Sequence, residues 1–148
     1  MGTLALIGIR NREMPQEVKY VTLCTDGYIS EAGLKLMFHY NATKKAHDLI
    51  EKGQIVQLKA SLEDSLFSAS FKSVNEETYN PIRDVSEGAF YNSDKAAIKY
   101  LFADGEWHVF VKGVMKEPMP LYEYMKSRFE KIDIKSDQAQ EKLLSANV

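Results

Sequence analysis

The 148 residues are 45% hydrophobic and 27% charged, with 19 basic against 21 acidic side chains and a formal charge of −2. A chain of this length buries enough surface to fold as one domain without disulfides, and its composition excludes wholesale disorder. The near-neutral charge writes in no general grip on nucleic acid or anionic membrane, and a single cysteine, Cys24, excludes a disulfide framework or a multi-cysteine zinc site.

No apolar run approaches the roughly 20 residues needed to cross a bilayer. The apolar start, Met1 to Arg10, lacks a basic n-region and a small-residue cleavage site. The chain therefore reads as cytosolic. In chain order, Leu4, Leu6, Ile7 and Ile9 form a run too short for a stable helix and predict a buried strand. A polar turn with Pro15 follows, and the β-branched and aromatic run Val18–Cys24 predicts a second strand, paired as an antiparallel hairpin. Asp26-Gly27 marks a turn. Ser30 is the expected N-cap of a helix carrying Leu34, Leu36, Met37 and Tyr40 on its apolar face. Thr43 is the expected N-cap of a second helix that runs to Lys52, with Gly53 at its C′ position.

Residues 54–66 are ambiguous between strand and loop. Phe67, Ala69 and Phe71 alternate with polar residues as in a half-buried strand. Residues 75–88 read as an irregular stretch, and Ser93–Lys99 as one helical turn or more. Two aromatic-rich runs, Tyr100–Phe102 and Trp107–Lys112, flank Asp104-Gly105 as a tight hairpin requires. Trp107, Val109 and Val111 should point one way, and His108, Phe110 and Lys112 the other. After Pro118 and Pro120, Leu121, Tyr124, Met125, Phe129 and Ile132 recur at helical spacing. The expectation is an α+β domain over residues 1–134, an antiparallel sheet of four or five strands with helices packed on one face. Residues 135–148 are a C-terminal extension, helical or frayed.

Cys24, at a strand end just before a helix, has the location of an activated nucleophile, although free cysteines are usually only buried filler. The alternative function is a small hydrolase or transferase that depends either on Cys24 or on the carboxylate of the Asp26–His39 neighbourhood. Asp26 is equally explained by turn chemistry, and His39 by packing at a helix end. The three histidines have no metal-ligand spacing, so no metal is assigned. Glycine-rich phosphate loops are absent and no cofactor is expected. Arg83 lies between Tyr79 and Tyr91, a combination that grips phosphate and stacks on a base, although a solvated loop ion pair explains it as well. Trp107, His108 and Lys112 complete the candidate ligand-binding set. Leu121, Tyr124, Met125 and Phe129 are the candidate protein interface, should that helix present its apolar stripe.

The order of motifs resembles a family of small bacteriophage-encoded proteins, mostly of unassigned function. The matching stretches are Met1 and Thr3–Ile9, Cys24-Thr25-Asp26-Gly27-Tyr28, His39-Tyr40-Asn41, Leu49-Ile50 with Gly53, and Tyr100-Leu101-Phe102-Ala103-Asp104-Gly105-Glu106-Trp107. The likeness covers residues 1–112. Leu4-Ala5 stands where the family has Arg-Ser, and Thr25 where it has histidine, so a polar site built from those side chains is altered here. The resemblance supplies no catalytic residues. It implies an accessory protein in the cytoplasm of an infected bacterium, a non-enzymatic binder that inhibits or redirects a host factor. An anti-defence role against a host protein, or sequestration of a nucleotide signal, fits that description. A homo-oligomer is the default assembly.

Overall fold

Hydrophobic alternation and turn chemistry build most of the local structure. A computed structural model describes residues 3–10, 16–68 and 83–128 of the chain. Strands β1 (Ala5–Arg10) and β2 (Glu17–Leu23) form the expected antiparallel hairpin, with Ile7 opposite Val21. A wide helical turn over Ile29–Gly33 leads into α1 (Leu34–His39), and α2 (Thr43–Glu51) follows. Ser30 lies inside that turn rather than capping it, and Thr43 is the first helical residue after Ala42. Neither helical segment has a side-chain cap. Gly53 has φ 85°, the left-handed conformation that ends a helix and suits glycine best.

The ambiguous stretch holds β3 (Ile55–Gln57), a loop, and β4 (Leu66–Phe67). The alternation beyond Phe67 lies outside the described residues. Residues 83–88 correct the expectation of irregular structure: they form β5 (Arg83–Ser86) and the start of α3 (Glu87–Asn92). The helix begins here because Ser86 Oγ accepts the Ala89 N–H at 3.1 Å and Glu87 stands in the first turn. Ser93–Lys99 is not helical. It is a loop entering β6 (Ile98–Ala103), which turns at Asp104-Gly105 into β7 (Glu106–Val111). Both turn residues have positive φ, 54° and 80°, as a two-residue hairpin demands. Strand β8 (Met119–Pro120) and α4 (Leu121–Arg128) complete the described chain.

The sheet runs β4-β3-β2-β1-β6-β7-β8, and β5 pairs with β2. It is α+β as expected, but larger and mixed. There are eight strands among the described residues, and β1–β6 and β2–β3 are parallel pairs. Helices cover both faces rather than one. Ala5, Ile7, Val21, Leu23, Tyr100, Phe102, Trp107 and Val109 pack with residues of α1, α2 and α4 in the larger core. Leu6, Val18, Tyr20 and Leu101 pack with Phe90 of α3 on the other face. Period-two alternation sends neighbouring residues to opposite cores. The expected split of β7 therefore holds, with Trp107 and Val109 in the larger core.

Charged side chains lock α3 in place. Arg10, at the end of β1, bonds Glu87 at 2.9 Å and Asp104 at 3.1 Å. Lys112 Nζ donates to the Asn92 carbonyl at 2.7 Å and lies 2.6 Å from Asp94, while Lys99 Nζ donates to the Ser93 carbonyl at 2.6 Å. Two ammonium groups thus meet the carbonyl-rich C-terminal end of the helix, where cations are favoured.

Candidate functional site

One end of the sheet is shaped by the loop after β2. Cys24 N–H donates to the Ile55 carbonyl at 2.8 Å, and Thr25 Oγ1 donates to the Val56 carbonyl at 2.7 Å. Asp26 takes φ 54°. Gly27 N–H donates to the Thr3 carbonyl at 2.8 Å, and the Gly27 carbonyl accepts the Tyr100 hydroxyl at 2.7 Å. Burial pushes that hydroxyl's pKa well above its ordinary value, so it stays a protonated donor. The next carbonyl, of Tyr28, accepts the Glu31 and Ala32 N–H groups at 2.9 and 2.8 Å. The backbone of Tyr28 is fixed from both sides, yet its side chain is 51% exposed.

The same end of the sheet carries Val114. Gly113 has φ 87°, and the Val111 carbonyl accepts the Val114 and Met115 N–H groups at 3.1 and 2.9 Å. This tight turn holds Val114 outward, 77% exposed. Tyr28 and Val114 bound an open groove of about 530 Å³ whose walls include Ile29, Ile98, Val111 and Met125. Leu4, 43% exposed, stands at the same end of the sheet but outside the groove's lining, since alternation with Ala5 turns it to the face of Leu6. Three of the four exposed large hydrophobics among the described residues thus gather at one end of the sheet, Leu66 on the edge strand β4 being the fourth. The exposed Tyr28 and Val114 beside an apolar groove mark it as an interaction site.

A second cavity, of about 340 Å³, lies between the end of α1, α2 and the loop 58–65, with His39, Tyr40, Lys45, Asp48, Leu62 and Glu63 among its lining. Neither Cys24 nor Asp26 lines it, so the three residues considered for hydrolysis or transfer do not share that cavity. The half-exposed Cys24 thiol accepts a hydrogen bond from Gln54 Nε2 at 2.9 Å. Burial, then the charges of Lys45 and Lys35, depress the His39 pKa and favour its neutral imidazole.

The ligand-binding candidates divide between the sheet faces. Trp107 is a core residue whose Nε1 donates to the Tyr40 carbonyl at 3.1 Å. His108 and Lys112 share the opposite face with Phe110, whose ring meets Tyr91 edge-on at 5.6 Å. Tyr91, His108 and Lys112 are therefore neighbours around Phe110, without Trp107. His108 Nδ1 is buried with no hydrogen-bond partner among the described residues, while Lys112 is engaged by Asp94 and Asn92. Burial raises the Tyr91 hydroxyl pKa beyond the titrating range. Arg83 lies on β5 opposite Tyr20, and Tyr79 lies outside the described residues. The helix named as an interface needs correction. Leu121 and Met125 are 0% and 1% exposed and belong to the core, because α4 packs its apolar stripe on β7 and β8. Met125 and Tyr124 both line the groove, Met125 from the core and Tyr124 as a half-exposed residue, and Phe129 lies outside the described residues.

The groove residues that sequence reasoning missed are Tyr28, Ile98, Val111 and Val114. The available signal was an apolar or aromatic side chain set directly after a turn, as in Asp26-Gly27-Tyr28 and Gly113-Val114. Comparison with protein-family models, with curated proteins and with solved structures finds no match. Among the described residues no helix is long and apolar enough to cross a membrane, and no group of three or more His, Cys, Asp or Glu side chains is placed to hold a metal ion.

Proposed function

We propose that this chain is a bacteriophage accessory protein that works as a non-enzymatic binder, docking a bacterial host protein on the groove at the end of the sheet and so inhibiting or redirecting it. The observation that carries this reading is the outward-held pair Tyr28 and Val114 flanking an apolar groove of about 530 Å³. Tight turns hold both backbones, so little order has to be gained on docking. An exposed tyrosine beside an apolar slot is a frequent anchor of protein interfaces. Covering a valine or leucine-sized side chain contributes roughly 1.5–3 kcal/mol. The resemblance over residues 1–112 supports the viral setting.

Tagged wild type and the variants Val114→Asp and Tyr28→Ala, each passed over bacterial lysate, test the reading. The expected result is one stoichiometric bacterial protein retained by wild type and lost from both variants. Retention of that protein by both variants would remove the groove from the interface. Native mass spectrometry that finds only a small-molecule mass increment would replace the protein partner by a ligand of nucleotide type.

A further inference from the structure

We propose that the cavity between α1, α2 and the 58–65 loop binds a small zwitterion, a molecule with one carboxylate and one ammonium group on a short apolar body. The site is separate from the docking groove, and its argument does not depend on it.

The walls are preformed. Tyr40 is buried, its hydroxyl donates to the Lys59 carbonyl at 2.7 Å, and it lies 3.4 Å from Ser65 Oγ. Ser65 Oγ in turn accepts the Lys59 N–H at 2.8 Å and donates to the Ser61 carbonyl at 2.8 Å. Ser61 Oγ closes the loop by pairing with Asp64. From the core side, Trp107 holds the Tyr40 carbonyl. A loop tied at this many points keeps its shape without a ligand, which lowers the ordering cost of binding. The volume, about 340 Å³, is at the small end of ligand pockets.

The charges choose the ligand class. Asp48 is occupied by Lys44 at 3.1 Å and by His47. Lys45 on α2 and Glu63 on the loop line the same cavity from different walls, and neither side chain pairs with another described residue. A plain anion would satisfy Lys45 and be repelled by Glu63, and a plain cation would meet the reverse. A zwitterion answers both, with its apolar part against Ala60 and Leu62.

The test is an NMR titration that follows the His39 imidazole and Leu62 methyl signals, with L-leucine and the dipeptide leucyl-leucine as probes. N-acetyl-L-leucine and L-leucinamide, each lacking one charge, are the controls. The expected result is a saturable shift with at least one zwitterion, about two- to fivefold weaker with either control, as loss of one solvent-exposed ion pair implies. Lys45→Met and Glu63→Gln, both at exposed positions, should each weaken it about two- to fivefold. The proposal is overturned by no saturable shift with either zwitterion up to about 10 mM. It is equally overturned by controls that bind as well as the zwitterions, or by variants that bind as well as wild type.

Discussion

The indole Nε1 of Trp107, 67 residues along the chain from its partner, donates a 3.1 Å hydrogen bond to the backbone carbonyl of Tyr40. That one contact ties the β6–β7 hairpin to the joint between α1 and α2, and its ring also meets Phe102 edge-on at 5.2 Å. Trp107→Phe keeps much of the apolar area but removes the indole donor, leaving the Tyr40 carbonyl with the Ala42 N–H at 2.9 Å as its remaining partner. The expected loss is about 0.5–1.5 kcal/mol for the hydrogen bond, with a further contribution from the space left behind. Urea denaturation followed by far-UV circular dichroism measures it. A variant as stable as wild type would show that the hydrogen bond contributes nothing net.

Gly27 is required by close approach. A Cβ there would sit 2.7 Å from both Ala5 Cβ and the Thr3 carbonyl oxygen, and 3.0 Å from Ala5 N. Two of those atoms are backbone, so the loop has to move. Gly27→Ala should cost roughly 1–3 kcal/mol, the usual penalty of overpacking. It should also weaken partner capture, because Tyr28 follows directly. Gly88→Ala, where nothing lies within 4 Å, is the matched control and should be close to neutral.

Two buried groups set opposing pH dependences in the alkaline range. Lys99 has no exposed surface, and burial, then the charge of Lys112, holds its pKa below the usual 10.5. Its folded pKa lies under its unfolded one, so the charged lysine opposes folding at neutral pH. That penalty is relieved as pH rises from the depressed value towards 10.5. Tyr100 has the reverse sign. Its folded pKa is raised above 10.0 by burial, so its stabilising contribution is complete below pH 10.0 and is lost as pH rises through the raised value. Lys99→Met should flatten the stability gain below pH 10.5, and Tyr100→Phe should reduce the loss above pH 10.0. Tyr40, also raised by burial, leaves part of that loss in place. Denaturation midpoints across this range that are parallel for wild type and both variants would refute the assignment.

The outward position of Val114 predicts separation of folding from docking. Val114→Asp should change stability by no more than about 0.5 kcal/mol, as at other exposed sites, while abolishing capture of the partner. A thermal scan beside the capture assay reads both. A large fall in melting temperature would mean that Val114 supports the fold.

Local chemistry was legible where one stretch of chain supplied it. Asp104-Gly105 announced its hairpin because both residues tolerate positive φ, and Gly53 announced the end of α2 for the same reason. The alternation along Trp107–Lys112 placed each side chain on its correct face. Residues 83–88 misled because polar composition reads as loop. Ser86 followed by Glu87 was the missed capping signal. The stripe of α4 was visible, but its spacing is the same whether it faces a partner or the core, and Leu121 and Met125 face the core.

By itself the sequence determined the turns, the hairpins and the helical segments around residues 34–51, since each depends on backbone preferences and side-chain periods within a few residues. Only the tertiary structure decided that β1 pairs in parallel with β6, that Tyr100 holds Gly27 across 73 residues, and that Tyr28 and Val114 meet at one groove. Those relations join segments whose local patterns carry no record of each other. They are selected by how the whole chain buries its apolar surface and satisfies its backbone groups.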